Sequence, residues 1–216
     1  LGAAAARLPR EDGAGDAPGP RRGLTRGRDV GRMAGVARTL AELPWPVTTE
    51  RLSLRPATIL DAAAVFGYRR LPEVGQWLTR LPDDLDAWRV RFAERLPTAI
   101  MIEEDGDVIG DLFLQGQDAW AQHEVKELAE AAEAEIGWAL DPRFAGHGYA
   151  TEAARELLRI CFDDLGVRRV FASCFAANEP SWRLMERLGM RREQYAVADS
   201  LHRDGRWLDG VTYALL

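Results

Sequence analysis

Two glycines and an arginine stand at the start of a predicted helix, in the segment Arg143-Phe144-Ala145-Gly146-His147-Gly148-Tyr149-Ala150. Because glycine has no Cβ, it lets backbone amides approach a ligand closely. The first amides of a helix have no partner inside the helix, and the helix dipole favours negative charge there. The segment is therefore expected to hold a phosphate or diphosphate. For the glycines alone, a tight turn between two elements is the alternative interpretation.

The elements on both sides of this segment support the phosphate interpretation. An apolar run over residues 134–140 predicts a strand that leads into it. Gly166 stands where a helix that leads out of it is expected to end. The apolar side chains between these points recur at helical spacing, and they are Ala150, Ala153, Ala154, Leu157, Leu158, Cys161 and Leu165.

The spacing Arg143-x-x-Gly146-x-Gly148-x-Ala150 resembles the acyl-CoA signature Q/R-x-x-G-x-G/A of the GNAT superfamily of N-acetyltransferases. The block over residues 178–190, Asn-Glu-Pro-Ser-Trp-Arg-Leu-Met-Glu-Arg-Leu-Gly-Met, is similar to the N-x-x-S…L-G-F/M segment of one branch of that superfamily. This branch includes the ribosomal-protein alanine N-acetyltransferases. The resemblance extends over residues 49–216.

The resemblance implies an α/β (α+β) GNAT fold. Its sheet would be mixed, mostly antiparallel and seven-stranded, flanked by helices and splayed between strands four and five. Pantetheine would enter that gap like an additional strand, along the backbone of Trp138, Ala139 and Leu140.

The same resemblance implies acetyl-CoA as cosubstrate. Its diphosphate would lie on the backbone amides of the glycine segment, and Arg143 would add a cation. Asn178 would hydrogen-bond the pantetheine, cap its own helix, or do both. The amides in question belong to Ala145, Gly146, His147, Gly148, Tyr149 and Ala150.

Three side chains are candidates for proton transfer. Many enzymes of this superfamily use a tyrosine as the acid, but no tyrosine stands in the corresponding helix here. The resemblance assigns that role to Ser181, with helix capping or packing as the alternative. Glu135 is the first candidate base, because its strand borders the expected acceptor cleft, although it could simply be an exposed carboxylate. Asp199 is the second.

The leading interpretation is direct acetyl transfer to a primary amine, on a protein N terminus or a small molecule. A non-catalytic acyl-CoA-binding or regulatory module is the alternative. A dinucleotide-binding oxidoreductase is disfavoured, because the spacing is G-x-G-x-A rather than G-x-G-x-x-G.

The net charge and the apolar content of the chain limit which classes of binding partner are expected. The chain of 216 residues carries a net charge of −6; residues 1–38 contribute +4, which leaves −10 for the remainder. An acidic body argues against nucleic acid and is compatible with a cationic substrate. No run approaches the ~20 apolar residues that a membrane helix needs. We expect a monomer or homodimer.

Cysteine and histidine usage points the same way. Cys161 and Cys174 lie in apolar patterns and form no motif, which suits a reducing cytoplasm. The three histidines are far apart and lack the spacing of metal ligands, so no metal site is expected.

Residues 1–40 are rich in Ala, Gly, Arg and Pro and predict a disordered extension, with Met33 as a candidate natural start. A transit peptide fits this segment poorly because of its acidic residues. Residues 41–216 are expected to form one domain.

Within the domain, strands are predicted at residues 50–56, 99–104, 108–115, 134–140, 168–175, 191–197 and 208–216, and helices after Thr58, over 83–96 and from Asn178. Asp105-Gly106 predicts a hairpin turn. Residues 118–133 predict an acidic helical insertion. Tyr68, Trp77 and Trp88 are candidate acceptor contacts, with core packing as the alternative.

Overall fold

A computed structural model describes residues 40–82 and 84–216 of the protein. The expectations for the N-terminal extension and for a start at Met33 concern residues outside this part of the chain. No helix among the described residues is long and apolar enough to cross a membrane.

One open sheet runs through the described part of the chain, in the order β1-β2-β3-β4-β5-β6-β8-β7. It has eight strands, so the expected number of seven was wrong. The additional strand is β1, which exists because Val47 and Thr48 pair with Leu54 and Ser53. The strands are β1 (Val47–Thr48), β2 (Ser53–Pro56), β3 (Ala99–Glu104), β4 (Asp107–Gln117), β5 (Glu133–Leu140), β6 (Arg169–Phe175), β7 (Arg191–Leu201) and β8 (Trp207–Leu215).

The expected splay is present, between β5 and β6. All other neighbouring strands pair antiparallel, and these two pair parallel. They pair at three positions only, which join Glu133, Ala134 and Glu135 to the start of β6. Beyond Glu135 the two strands part, so β5 is hydrogen-bonded only to β4 from there to its end.

Five α-helices of the described residues cover the two faces of the sheet. α3 begins where expected, because the Asp84 side chain accepts hydrogen bonds from the amides of Asp86 and Ala87. The long helix expected before Gly166 ends in a five-residue π-helical turn, Ile160–Asp164. The α-helices are α1 (Ala62–Arg69), α2 (Pro72–Gly75), α3 (Leu85–Arg95), α4 (Tyr149–Arg159) and α5 (Glu179–Arg187).

Two apolar clusters lie on opposite faces of the sheet. Ala134 and Ile136 of β5 belong to the larger cluster, together with α4 residues such as Leu157. Ala139, at an odd-numbered position of the same strand, belongs to the smaller cluster under α1 and α3, together with Phe92. Because successive side chains of a strand point to opposite faces, even-numbered positions of β5 face α4 and α5, and odd-numbered positions face α1 and α3.

A buried carboxylate connects α1 and α3 to the sheet. Asp111 of β4 accepts hydrogen bonds from Tyr68 Oη at 2.6 Å, Arg69 Nη2 at 2.5 Å and Arg95 Nη2 at 3.2 Å. Burial alone would raise the pKa of Asp111, but Arg69 and Arg95 hold that pKa below its ordinary value. Asp111 pairs in register with Ala139, so the hydrogen bonds of Asp111 also restrain the part of β5 around Ala139, through the neighbouring strand β4.

The hairpin predicted at Asp105-Gly106 is confirmed. Both residues have positive φ, 49° and 89°, as a type I′ turn requires. The turn joins β3 to β4 directly.

The helix expected over residues 118–133 is wrong. Only a 3₁₀ segment, His123–Ala129, forms there. The Asp118 side chain accepts a hydrogen bond from the amide of Ala131, whose φ is +48°. This contact closes the segment as a loop, and a residue with positive φ cannot continue a right-handed helix.

Candidate functional site

The glycine segment forms the connection between β5 and α4. A 3₁₀ turn, Pro142–Phe144, follows β5, and the chain then passes through Gly146 and Gly148, whose φ values are +83° and +85°. Gly148 is the N-cap residue of α4, and its carbonyl accepts from the amides of Thr151 and Glu152 at 3.0 Å. The left-handed conformation at both positions explains why glycine stands there.

The backbone amides of this segment point to no protein acceptor among the described residues. The amide of Ala145 donates to the Pro142 carbonyl, and helical bonding resumes at Thr151. Between them lie five amides for which the described residues supply no acceptor, those of Gly146, His147, Gly148, Tyr149 and Ala150. Five successive amides at a helix N-terminus are the donor set that a diphosphate requires.

Arg51, in the turn between β1 and β2, holds this segment in place. Its Nε and Nη2 donate to Glu152 Oε2 at 2.8 and 2.6 Å, and its Nη1 donates to the His147 carbonyl at 3.0 Å. Its guanidinium also lies over the Tyr149 ring, 4.6 Å from the centroid. One side chain therefore connects the glycine segment and the first turn of α4 to the turn between β1 and β2.

Glu152 is bound from both sides. Thr49 Oγ1 donates to its Oε1 at 2.5 Å, and the backbone amide of Arg51 donates to the same oxygen at 2.9 Å. Burial opposes ionisation of this carboxyl, yet the hydrogen bonds from Thr49 and Arg51 hold its pKa below the ordinary value.

Arg143 lies beside the segment but is already paired. Arg143 donates to both carboxylate oxygens of Asp141, with Nη2 2.6 Å from Oδ2. The negative charge of Asp141 therefore offsets much of the positive potential of Arg143. The Arg143 side chain remains largely exposed at this position. Tyr149 is oriented in a similar way, since its hydroxyl donates to Glu104 near the β3–β4 turn.

The edge of β5 next to the glycine segment has one open side. Trp138, Ala139 and Leu140 pair with Leu112, Asp111 and Gly110 of β4 and have no partner on β6. Their backbone groups on that side face the gap. An extended ligand could hydrogen-bond there as an additional strand would.

Ser181 lies in the first turn of α5 and contacts β6. Its hydroxyl is within hydrogen-bonding reach of the Cys174 thiol; burial raises the pKa of Cys174, and this hydrogen bond partly opposes the rise. Cys174 occupies an even-numbered position of β6 and belongs to the larger cluster, so Ser181 lies on the α4–α5 side of the gap.

Asn178 begins α5 through its backbone rather than its side chain. Its carbonyl accepts from the amides of Ser181 and Trp182, and its side chain makes no capping hydrogen bond. The expectation of side-chain capping was therefore wrong. The residue is nevertheless buried, with 7% of it exposed.

The two candidate bases, Glu135 and Asp199, lie level with different residues of β6. Glu135 pairs in register with Phe171, at the last position where β5 and β6 are joined. The Asp199 carboxylate lies against Gly210, the register partner of Phe175 at the far end of β6, and accepts from Ser200 Oγ at 2.8 Å. Four residues of strand separate these levels, or about 13 Å.

Glu135 and Ser181 approach the gap from opposite faces of the sheet. Glu135 occupies an odd-numbered position of β5 and faces α1 and α3, whereas Ser181 faces the opposite side. An acid on one side and a base on the other suit a reaction whose two substrates meet within the gap from opposite faces.

Sequence reasoning missed Arg51, Glu152, Thr49 and Glu104 as supports of the site. Arg51 was recognised only as part of the first strand, and 101 residues separate it from Glu152. The only signal in the sequence is that an arginine precedes a strand and a glutamate opens a helix, which is too common to indicate a contact. Among the described residues, no group of three or more His, Cys, Asp or Glu side chains could hold a metal ion.

Comparison with protein families gives one match across most of the domain. The model described as acetyltransferase (GNAT) domain matches residues 51–191, from the start of β2 to the start of β7. These bounds contain the glycine segment, the gap between β5 and β6, and α5.

Two curated bacterial proteins are similar in sequence. The uncharacterized N-acetyltransferase YnaD of Bacillus subtilis (strain 168) is 30% identical over 174 residues, which covers 79% of this chain and 96% of that protein. The putative ribosomal N-acetyltransferase YdaF of the same organism is 31% identical over 138 residues, covering 64% and 67%. Among solved structures, an acetyltransferase of the GNAT family from Bacillus anthracis superposes with a TM-score of 0.68 at 26% identity, covering 79% of this chain and 97% of that one.

Proposed function

The chain belongs to the acetyltransferase (GNAT) family, and on that basis we propose that it transfers an acetyl group from acetyl-CoA directly to a primary amine, either of a protein N terminus or of a small molecule. The observation that carries this proposal is the run of amides from Gly146 to Ala150, which have no protein acceptor among the described residues, beside an unpaired strand edge.

These two features suit the two ends of the donor. The diphosphate would accept hydrogen bonds from the amides at the start of α4, where the helix dipole adds favourable potential. Pantetheine would continue along Trp138, Ala139 and Leu140, and Asn178 lies across the gap with a buried amide that can bind it. Arg143 contributes little net charge, because Asp141 is its partner, and Arg51 is paired with Glu152 in the same way, so the amides would supply most of the attraction for the diphosphate.

The transfer itself needs an electrophilic carbonyl carbon, a hydrogen-bond donor to the oxyanion that forms on that carbonyl, and two proton transfers. The amine nitrogen forms a bond to the thioester carbonyl carbon, and the carbon–sulfur bond then breaks. The nitrogen loses one proton and the departing thiolate gains one. A backbone amide on the open edge of β5 would stabilise the oxyanion, and a single donor of this kind contributes about 3 kcal/mol.

Ser181 would supply the proton to the thiolate. It lies on the α4–α5 side of the gap, and its present neighbour, the thiol of Cys174, shows that a sulfur atom can occupy hydrogen-bonding distance from its hydroxyl. Because serine is a weak acid, the alkoxide left on Ser181 after the transfer would take up a proton from solvent.

Glu135 would accept the proton from the amine, directly or through water. It stands at the closed end of the gap on the face covered by α1 and α3. Asp199 is the alternative base, nearer the open end. Because their levels along β6 differ by four residues, or about 13 Å, we expect one acceptor amine to use only one of them, and the one that acts depends on how deeply the amine enters.

The similarity to YdaF, a putative ribosomal N-acetyltransferase, supports a protein N-terminal amine as acceptor. A free α-amine also has a reference pKa near ~8, against ~10.4 for a lysine side chain, so it needs less help from a base. The buried thiols of Cys161 and Cys174 support placement in the cytoplasm, and the acetyltransferase would act as a monomer or homodimer without a metal.

A non-catalytic acyl-CoA-binding module is the second candidate. It would use the same amides and the same strand edge, but it would release no thiol in the presence of an amine. The presence of Ser181 and Glu135 on opposite sides of the gap favours catalysis over this alternative.

Labelled acetyl-CoA and a panel of amines test the proposal by mass spectrometry. The panel includes N-terminal peptides, free amino acids, polyamines and aminoglycosides, with thiol release followed in parallel. Labelled acetyl on an amine, with stoichiometric thiol release, is the expected result. Tight binding of acetyl-CoA without transfer to any class would favour the non-catalytic module.

A further inference from the structure

His147 presents an exposed aromatic ring in the middle of the glycine segment. The ring stacks on Tyr149, with centroids 5.7 Å apart and an angle of 26° between the two planes, as in offset-stacked aromatic pairs. Tyr149 covers one face of the imidazole, and the exposure of His147 leaves the other face accessible to a ligand. Because the residue is exposed, packing of the core does not explain why a ring stands at this position.

The backbone and the ring of His147 are both restrained before any ligand binds. Gly146 and Gly148 flank the residue with φ values of +83° and +85°, and Arg51 Nη1 donates to its carbonyl at 3.0 Å. Its ring nitrogen Nδ1 lies 3.4 Å from the Phe144 carbonyl. Ordering a mobile side chain at an interface weakens binding, and these contacts reduce that cost for His147.

Tyr149 is held firmly beneath the imidazole. Its hydroxyl donates to Glu104, the last residue of β3, and this hydrogen bond raises the pKa of Tyr149 above its ordinary value. The Arg51 guanidinium lies 4.6 Å from the centroid of the ring, within cation–π distance. The ring also packs against the larger apolar cluster. The exposed imidazole therefore rests on a support that belongs to the fold.

The position of this pair relative to the gap indicates which part of coenzyme A would meet it. The gap follows β5 on one side, whereas Glu104 and Arg51 lie on the other side, where β4, β3 and β2 follow in order. A diphosphate on the amides of the glycine segment has two ends. If one end continues as pantetheine into the gap, the other carries the adenosine towards the side on which Tyr149 is anchored.

We propose that the His147 ring, supported by Tyr149, stacks on the adenine base of coenzyme A and so favours a nucleotide-linked donor over a thioester of phosphopantetheine alone. The inference rests on the proposed use of acetyl-CoA and adds a site for its base. Aromatic side chains bind nucleobases by stacking, because every base has a π-face. The backbone amides contact phosphate oxygens only, so they supply no recognition of the base.

The charges near the pair favour the base over the 3′-phosphate as the group that His147 contacts. Arg51 is paired with Glu152, and Arg143 is paired with Asp141. Neither arginine therefore offers much uncompensated positive charge to a further phosphate. We expect the contribution of His147 to be the same for coenzyme A and for 3′-dephospho-CoA, which keeps the adenine and lacks only that phosphate.

His147→Ala tests the assignment by calorimetry. Its affinity for CoA and for 3′-dephospho-CoA is expected to fall by the same factor, about fivefold to tenfold, as loss of one exposed base stack allows. Its affinity for 4′-phosphopantetheine, which lacks the adenosine and is measured by displacement of CoA, should change by less than about twofold. A loss with CoA that disappears with 3′-dephospho-CoA would assign His147 to the 3′-phosphate and overturn the stacking.

Two matched variants separate stacking from a structural role. His147→Phe keeps a ring but loses the nitrogen near the Phe144 carbonyl, and it should bind CoA within about twofold of the wild type. If His147→Phe bound CoA as weakly as His147→Ala, the imidazole would act by shaping the segment, and the proposal would fail. His123→Ala removes an exposed histidine from the loop between β4 and β5 and should leave all three affinities unchanged.

These affinities do not depend on acetyl transfer. Binding of CoA that requires a ring at position 147 supports the base site even if no amine is acetylated, a result that would overturn only the proposed function. Equal affinity of wild type and His147→Ala for CoA would overturn the base site and leave the proposed transfer intact. Equal losses for CoA and 4′-phosphopantetheine in His147→Ala would do the same.

Discussion

Arg51 and Glu152 are joined by three hydrogen bonds, with Arg51 Nη2 2.6 Å from Glu152 Oε2, across 101 residues of sequence. The pair joins the turn between β1 and β2 to the first turn of α4. Through its Nη1, Arg51 also fixes the carbonyl of His147 in the middle of the glycine segment. The geometry of the amides that follow therefore depends on a residue that contributes no amide of its own.

Arg51→Ala is expected to weaken CoA binding about tenfold, because the glycine segment loses the side chain that orients His147 and Tyr149. Calorimetry with CoA measures the effect. Arg155→Ala, which changes an exposed arginine of α4, is the control and should leave the affinity unchanged. If both variants bound CoA as the wild type does, Arg51 would have no role in shaping the segment.

Glu152→Gln is expected to lower the free energy of unfolding by about 1 kcal/mol near pH 7, the typical net value of the hydrogen bonds that it weakens. Because the folded-state pKa of Glu152 is depressed below its ordinary value of 4.5, its contribution is present above that pH. It is lost as the pH falls through the folded pKa.

Denaturant unfolding of wild type and Glu152→Gln at pH 7 and at pH 3 checks this dependence. The two proteins should differ more at pH 7 than at pH 3. Glu124→Gln, an exposed glutamate in the loop between β4 and β5, should match the wild type at both values. A difference that stayed constant with pH would mean that the carboxylate charge is not responsible.

Gly146→Ala is expected to reduce CoA affinity at least tenfold. A Cβ at this position meets no protein atom within 4 Å, so the fold has room for it and the loss would come from the ligand side. Gly166→Ala is a matched control, because it also has positive φ and open space around a Cβ. Both variants should lose about 1 kcal/mol of stability through backbone strain, but only the first should bind CoA poorly.

Ser181→Ala is expected to lower kcat about a hundredfold, within the range for loss of a positioned acid, and to leave the dissociation constant of acetyl-CoA within about twofold. Stopped-assay kinetics and calorimetry measure the two quantities. Ser53→Ala, at the start of β2, is the control and should retain full turnover. An unchanged kcat in Ser181→Ala would remove this hydroxyl from the mechanism.

Glu135→Gln is expected to reduce kcat/KM most at low pH. As the pH approaches the acceptor's own pKa, near ~8 for an α-amine, a growing fraction of the amine is already neutral and the loss should shrink. The pH profile from 6 to 9.5 measures this, with Asp199→Asn in parallel. A loss that is the same at every pH indicates a structural effect, and a pH-dependent loss in Asp199→Asn alone transfers the role of base to Asp199.

Local signals in the sequence predicted the elements that depend on neighbouring residues. Gly148 opens α4 and Asp105-Gly106 forms the β3–β4 turn, because both depend on backbone conformations that few residues adopt. The acidic helix over residues 118–133 failed for a related reason. Its Ala and Glu content favours helix, but a hydrogen bond from the Ala131 amide to Asp118 overrides that preference.

Contacts between distant residues were beyond what the sequence could show. The parting of β5 from β6 was expected from the family resemblance, whereas the position at which they part, after Glu135, has no local signal in the sequence. The same holds for His202 and Arg203 of the β7–β8 turn, which contact the backbone carbonyls of Gln76 and Gly75 at the end of α2. Such positions depend on loops that meet only after folding.

The sheet of this protein lacks backbone hydrogen bonds between two central strands, β5 and β6, rather than only at its edges. An extended ligand between these strands would add the missing backbone hydrogen bonds, and it can do so only while the protein is folded. Mass action then couples occupancy to resistance against unfolding. The melting temperature should therefore increase with the logarithm of donor concentration.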